Sequence, residues 1–229
     1  MAGEADVRAR IAILGGSFDP ITLAHLSVLE QAAKALGAAE AWLLPTRSQP
    51  LRDHHAAGVS ERLALVEVAA SAARRDGAAV PLRVVDAEAR RDGTSYTIDT
   101  LDDLEATHPE FELWWVMGAD AARTIRAWHR SAELLARGRF ALVNRTGVQP
   151  LSGPEAMALG FHPDRTRLLV VDSPPASSTE ARSRLRRGFP AEDLIGPAVG
   201  EEIARRGLYR APGAAGDEAA DGGPAGQLP

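Results

Sequence analysis

Short apolar runs alternate along this chain with stretches whose apolar residues recur at helical spacing. Each run stops at a glycine, a proline or a polar residue. Ile11–Leu14, Ala41–Leu44, Leu82–Val85, Leu113–Met117, Phe140–Asn144 and Leu168–Asp172 read as strands. Leu113–Met117 (LWWVM) is apolar throughout, as a strand covered on both faces is. The spacing predicts helices over Leu23–Leu36, with Gly37 as C-cap, and over Ser60–Ala73, with Ser60 as N-cap. Thr97–Glu105, Ala121–Arg126, Glu133–Ala136, Thr179–Arg187 and Val199–Arg206 follow the same pattern. A repeating order of strand, turn and helix predicts an α/β fold: an open, mainly parallel, Rossmann-like sheet with helices on both faces.

The domain reading is simple. Residues 1–10 form a flexible N-terminus, 11–210 a single domain, and 211–229 a disordered tail. The tail is mostly Gly, Ala, Pro and acidic residues with Leu228 as its one large apolar side chain, too little to offset ordering entropy. Several functions are excluded or disfavoured. The chain lacks cysteine, which removes thiolate nucleophiles, disulfides and Cys metal sites. Its net charge of -5 argues against nucleic acid as a partner. No apolar run reaches the ~18 residues of a membrane helix, and the N-terminus lacks the apolar stretch of a signal peptide. A cytoplasmic location is expected. Lys34 is the one lysine, so an anion held by side-chain charge is held mostly by arginine.

The stretch Gly15-Gly16-Ser17-Phe18-Asp19-Pro20-Ile21-Thr22-Leu23-Ala24-His25 joins the first strand to the first helix. Glycines after a strand let the backbone approach a ligand, and the following helix offers free N–H groups to a phosphate. Thr22 and His25 are three apart and share a helix face, so a hydroxyl and an imidazole are expected to address one anion. Ser177-Ser178-Thr179-Glu180-Ala181-Arg182 likewise follows a strand and opens a helix. It reads either as an ordinary N-cap or as a phosphate cradle, with Arg182 as a forked cation. In Ser95-Tyr96-Thr97, Ser95 or Thr97 reads as a helix cap. Gly118-Ala119-Asp120 follows the LWWVM strand, where Asp120 can accept hydrogen bonds from ribose hydroxyls. Trp128, beside His129, is either a core aromatic or a stacking platform. Arg52 is either a surface arginine or a second cation for phosphates. His54 and His55 read as loop residues, and no metal site is expected.

The first string resembles the GxFDPxHxGH signature of the nucleotidylyltransferase superfamily, with Thr22 and His25 in the (H/T)xGH positions and Ala24 where glycine is usual. Residues 95–101 (SYTIDTL), the Gly118–His129 pattern (GAD…WH) and Ser177–Arg182 (SSTxxR) are similar to segments of bacterial nicotinate-nucleotide adenylyltransferases. Gln49-Pro50-Leu51-Arg52 stands where that family has a PPHK/R loop. The resemblance runs from about Ile11 to about Tyr209.

That resemblance implies the nucleotidylyltransferase fold and transfer of the adenylyl group of ATP to nicotinate mononucleotide, giving deamido-NAD and pyrophosphate. It implies His25, Thr22 and Arg182 as catalytic residues, and Gly15, Gly16, Ser17, Phe18, Arg52, Ser178, Thr179 and Arg182 as ATP and phosphate contacts. Ser95, Tyr96, Thr97, Gly118, Asp120, Trp128 and His129 are implied at the acceptor. Magnesium is expected with ATP. Nicotinamide mononucleotide or a specialised phosphate acceptor stays open, as do a non-catalytic nucleotide-binding protein and a homo-oligomer.

Overall fold

The computed structural model describes residues 8–48, 55–145 and 147–211. Among them, six parallel strands form one sheet: β1 (Ala9–Gly16), β2 (Glu40–Pro45), β3 (Leu82–Val84), β4 (Phe111–Gly118), β5 (Arg139–Arg145) and β6 (Thr166–Val171). Their order is β3-β2-β1-β4-β5-β6. Chain order therefore reverses at β1, whose neighbours are β2 and β4. A crevice opens beyond the strand C-termini at such a switch point, and it is where ligands bind in open α/β sheets.

The ten α-helices are α1 (Leu23–Leu36), α2 (Val59–Arg75), α3 (Ala87–Arg90), α4 (Thr97–Thr107), α5 (Ala119–Arg123), α6 (Ser131–Arg137), α7 (Gly153–Leu159), α8 (Ser178–Arg186), α9 (Glu192–Ile195) and α10 (Pro197–Arg206), counted among the described residues. Successive strand residues point to opposite faces. Ala12, Leu14, Leu43, Trp114 and Val116 thus pack against α1, α2, α8, α9 and α10 through Leu29, Leu65, Ala181, Leu194 and Ile203. Ile11, Ile13, Trp42, Trp115 and Met117 pack on the other face against Ile98, Ala122, Leu134 and Ala156. Burial on both faces is why the central strands read as unbroken apolar runs.

Helix α1 ends where the sequence places its stop. Gly37 sits at φ 62 and donates to the Lys34 carbonyl (3.1 Å), while Ala38 donates to Ala33 (2.9 Å). This left-handed cap suits glycine. Other boundaries differ from expectation. Strand β1 begins at Ala9, inside the segment read as flexible, because Ala9 and Arg10 pair with Phe111 and Glu112. It also continues through Gly15 and Gly16, which pair with Leu44 and Pro45 instead of breaking the strand. Helix α2 is capped by Gly58 and not Ser60, and α4 by Tyr96 without any side-chain bond, so neither Ser95 nor Thr97 is its cap. Helices α3, α7 and α9 were not foreseen. For α7 the cue was present: Ser152 and Glu155 form a reciprocal capping box around Pro154.

Residues 1–7 and 212–229 of the expected termini lie outside the described residues, as does Arg52 with its loop, Gln49–His54. Among the described residues, no helix is long and apolar enough to cross a membrane.

Candidate active site

The turn from β1 to α1 is buried, and its side chains face one another. Thr22 is the N-cap of α1, extended at φ -128 and ψ 163. Its backbone N–H donates to Nδ1 of His25 (3.0 Å), and its hydroxyl oxygen lies 2.8 Å from the same nitrogen. An Nδ1 that accepts from a backbone N–H cannot itself carry the proton in a neutral imidazole, so Nε2 holds it. The ring stands edge-on to Phe18, with centroids 5.2 Å apart and planes at 87°. Phe18 has a left-handed backbone (φ 45), and a Cβ on Gly16 would meet its ring at 3.2 Å. Thr22 is only 1% exposed. Its hydroxyl therefore orients the imidazole from within the turn, whereas the sequence spacing had both groups addressing a ligand.

The second loop arrives from the end of β6. Ser177 caps α8, its hydroxyl accepting from the Glu180 N–H (3.1 Å). The Ser178 hydroxyl donates to the Pro20 carbonyl (2.7 Å), and Nη1 of Arg182 donates to the Asp19 carbonyl (2.6 Å). Arg182 Nη2 reaches Thr179 Oγ1 at 3.5 Å. The two motifs thus meet, and the N-termini of α1 and α8 open onto the same space.

That space is a cavity of about 880 Å³. Gly15, Gly16, Ser17, Phe18, Ala24 and His25 line it from one side, and Ser177, Ser178 and Thr179 from another. Arg182 and Thr22 are not among its lining residues. The opposite wall holds Ser95, Tyr96, Thr97, Gly118, Asp120, Trp128 and His129. There Tyr96 and His129 lie ring on ring at 4.2 Å, and Trp128 Nε1–H donates to Thr124 Oγ1 (3.1 Å). Trp128 is half-buried: it packs against the core cluster on this face of the sheet and also lines the cavity. Asp120 is exposed, 3.8 Å from Arg123.

The sequence alone gives no site role to the polar lining residues Thr46, Glu88, Thr124 and Arg145, nor to Trp115. Arg145, at the end of β5, is the one arginine or lysine in the wall among the described residues. Its position at the C-terminal edge of a strand was the available signal. Glu88 sits on the unforeseen α3 and is 3% exposed. Burial pushes its carboxyl above the ordinary value, opposed by a hydrogen bond from Thr100 Oγ1 (2.7 Å) and the charge of Arg91. Thr46 Oγ1, Ser95 Oγ and Trp115 Nε1 are buried without a hydrogen-bond partner among the described residues. No group of three or more His, Asp or Glu among the described residues could hold a metal ion.

Comparison with known proteins follows the same lines. A family model described as cytidylyltransferase-like matches residues 13–184. A relative from Herpetosiphon aurantiacus, named as a probable nicotinate-nucleotide adenylyltransferase, is 36% identical over 204 residues, covering 88% of this chain and 99% of its own. A relative of the same name from Saccharopolyspora erythraea is 34% identical, covering 89% of this chain and 91% of its own. Among solved structures, the Plasmodium falciparum nicotinic acid mononucleotide adenylyltransferase complexed with NaAD superposes with a TM-score of 0.72 at 22% identity, over 88% of this chain and 97% of its own. At that identity the likeness speaks for the fold. The match across most of the chain, together with the full-length relatives, means that this chain belongs to the cytidylyltransferase-like family.

Proposed function

We propose that this protein transfers the adenylyl group of ATP to nicotinate mononucleotide, releasing pyrophosphate and forming deamido-NAD. The observation that carries this reading is the convergence of the His25 turn and the Ser177–Thr179 loop on one cavity whose far wall is aromatic and polar. The names of the relatives support the choice of acceptor.

In this reaction an oxygen of the acceptor phosphate attacks the α-phosphorus of ATP. The bond from that phosphorus to the bridging oxygen of the β-phosphate breaks, and pyrophosphate leaves. The nucleophile is already an anion near neutral pH and needs no general base. Catalysis is then positioning plus stabilisation of charge at the α-phosphate. His25, with its proton on Nε2, donates to an α-phosphate oxygen. Backbone N–H groups of the Gly15–Phe18 turn and of the N-termini of α1 and α8, those of Ser178 and Thr179 among them, cradle the other phosphates with the Thr179 hydroxyl. Arg145 lies between the acceptor wall and the loop after β6, and takes the acceptor phosphate. Tyr96, Trp128 and His129 provide aromatic faces for the acceptor ring. Magnesium enters with ATP, as the MgATP substrate. The cytoplasm, where ATP is held, is the proposed compartment.

Pyrophosphate release assayed with MgATP and a panel of nicotinate mononucleotide, nicotinamide mononucleotide and phosphopantetheine tests the proposal. Highest kcat/KM with nicotinate mononucleotide is expected. ATP binding without turnover on any acceptor would instead favour a binding protein.

A further inference from the structure

A second set of polar groups grips the catalytic turn without lining the cavity. Asp19 is 4% exposed, and its carboxylate is fully engaged. Oδ1 accepts from the Tyr209 phenol (2.8 Å) and the Ala57 N–H (3.2 Å), and Oδ2 accepts from the Ala56 N–H (2.7 Å). His55 Nδ1 stands 4.0 Å from Oδ2. Two residues earlier, the fully buried Arg62 donates to the Ser17 carbonyl and, through Nη2, to the Arg47 carbonyl (2.9 Å). Arg182 holds the Asp19 carbonyl from the other side. The backbone on each side of Phe18 is therefore fastened, and Phe18 itself carries the left-handed φ of 45. Non-glycine residues reach that region only when their surroundings impose it. Its ring is 1% exposed and abuts His25.

Tyr209 is the distant member of this set, 190 residues from Asp19 and beyond the end of α10. It too has a left-handed backbone (φ 62), yet its side chain is buried. Burial first, then the Asp19 charge and hydrogen bond, hold its phenol protonated far above the ordinary range. It is thus a constant donor.

We propose that Tyr209 is a positioning residue for adenylyl transfer: it fixes Asp19, Asp19 fixes the left-handed Phe18, and the Phe18 ring, in a T-shaped contact, fixes the His25 imidazole. The inference rests on the reaction proposed above, and its test separates the two. In the full chain, Tyr209→Phe keeps the ring and removes one hydrogen bond. It should lower kcat about 10- to 100-fold, the range of one lost bond to a charged group, and leave both KM values within about twofold. In a His25→Ala background the same substitution should change kcat less than about twofold, because the group it positions is gone. An unchanged kcat, or an equal loss in both backgrounds, overturns the proposal. Asp19→Asn removes the charge at the other end of the bond, should give the same pattern, and carries the test should Tyr209→Phe not fold. The His25 ring proton, assigned in NMR spectra by its loss in His25→Ala, gives a reading without turnover. Its pH titration should move in Tyr209→Phe, and an identical titration overturns the positioning role. A wild type that forms no dinucleotide while this shift persists would remove the reaction and keep the coupling.

Discussion

Arg182 donates a 2.6 Å hydrogen bond to the backbone carbonyl of Asp19, 163 residues earlier in the chain. This bond ties the loop after β6 to the turn after β1. It also turns a cation that the sequence assigns to ATP toward the protein itself. A guanidinium spent in this way acts on the shape of the phosphate cradle more than on its charge. Arg182→Lys keeps the charge and loses the planar fork. It should lower kcat about tenfold, the worth of one charged hydrogen bond, while the KM for ATP stays within about threefold. Steady-state kinetics at varied ATP decide this. A large rise in the ATP KM with kcat preserved would return Arg182 to direct triphosphate binding.

His25 has its tautomer set by Thr22, whose backbone N–H donates to Nδ1 at 3.0 Å. His25→Ala removes a preorganised donor and should lower kcat about 10²- to 10³-fold, or about 3–4 kcal/mol of barrier. Acceptor KM should change little. Near-normal turnover would sink the role given to the imidazole.

Arg145 is the permanent cation of the cavity wall among the described residues. If it takes the acceptor phosphate, Arg145→Gln loses a charge-assisted contact worth about 1.5–3 kcal/mol. The acceptor KM should then rise about 10- to 100-fold, with the ATP KM affected far less. Titrations of both substrates against the variant separate the two anions. An effect confined to ATP would move Arg145 to the triphosphate.

Glu88 should give the fold a dependence on pH. Burial raises its pKa above the ordinary 4.5, so the folded state holds the proton to a higher pH than the unfolded chain does. Stability from this group is fully present below the unfolded value. It is lost as pH rises through the raised folded one. Glu88→Gln keeps an oxygen to accept from Thr100 and cannot ionise. The melting temperature of the variant relative to wild type should therefore climb between pH 4 and neutrality. A constant difference across that range would show that Glu88 titrates alike in both states.

The central strands β1, β2, β4 and β5 were legible because burial on both faces leaves an apolar run whatever the neighbours are, as at Leu113–Met117 and Ile11–Leu14, whereas the edge strands β3 and β6 kept apolar runs with Leu168 and Val170 exposed. The end of α1 was legible at Gly37 because a left-handed cap is a local demand on the backbone. The segments around His25, Tyr96, Asp120 and Ser178, singled out as strings, all reach the wall of one cavity. Helix α7 was missed although its capping box stood in the sequence, since Ser152-Gly153-Pro154 also has the composition of a turn.

What each polar side chain bonds to was decided elsewhere. Thr22 turns to His25, Arg182 to the Asp19 carbonyl, Tyr209 to the Asp19 carboxylate, and Arg145 and Glu88 enter a wall that no string announced. Strand, turn and cap reflect the preferences of neighbouring residues, so the sequence alone determined the sheet and the places where the chain turns. A buried hydrogen bond between residues 19 and 209 depends on which elements the packed sheet brings side by side. Only the tertiary structure decided that, because a donor cannot be matched to an acceptor until the fold removes both from water.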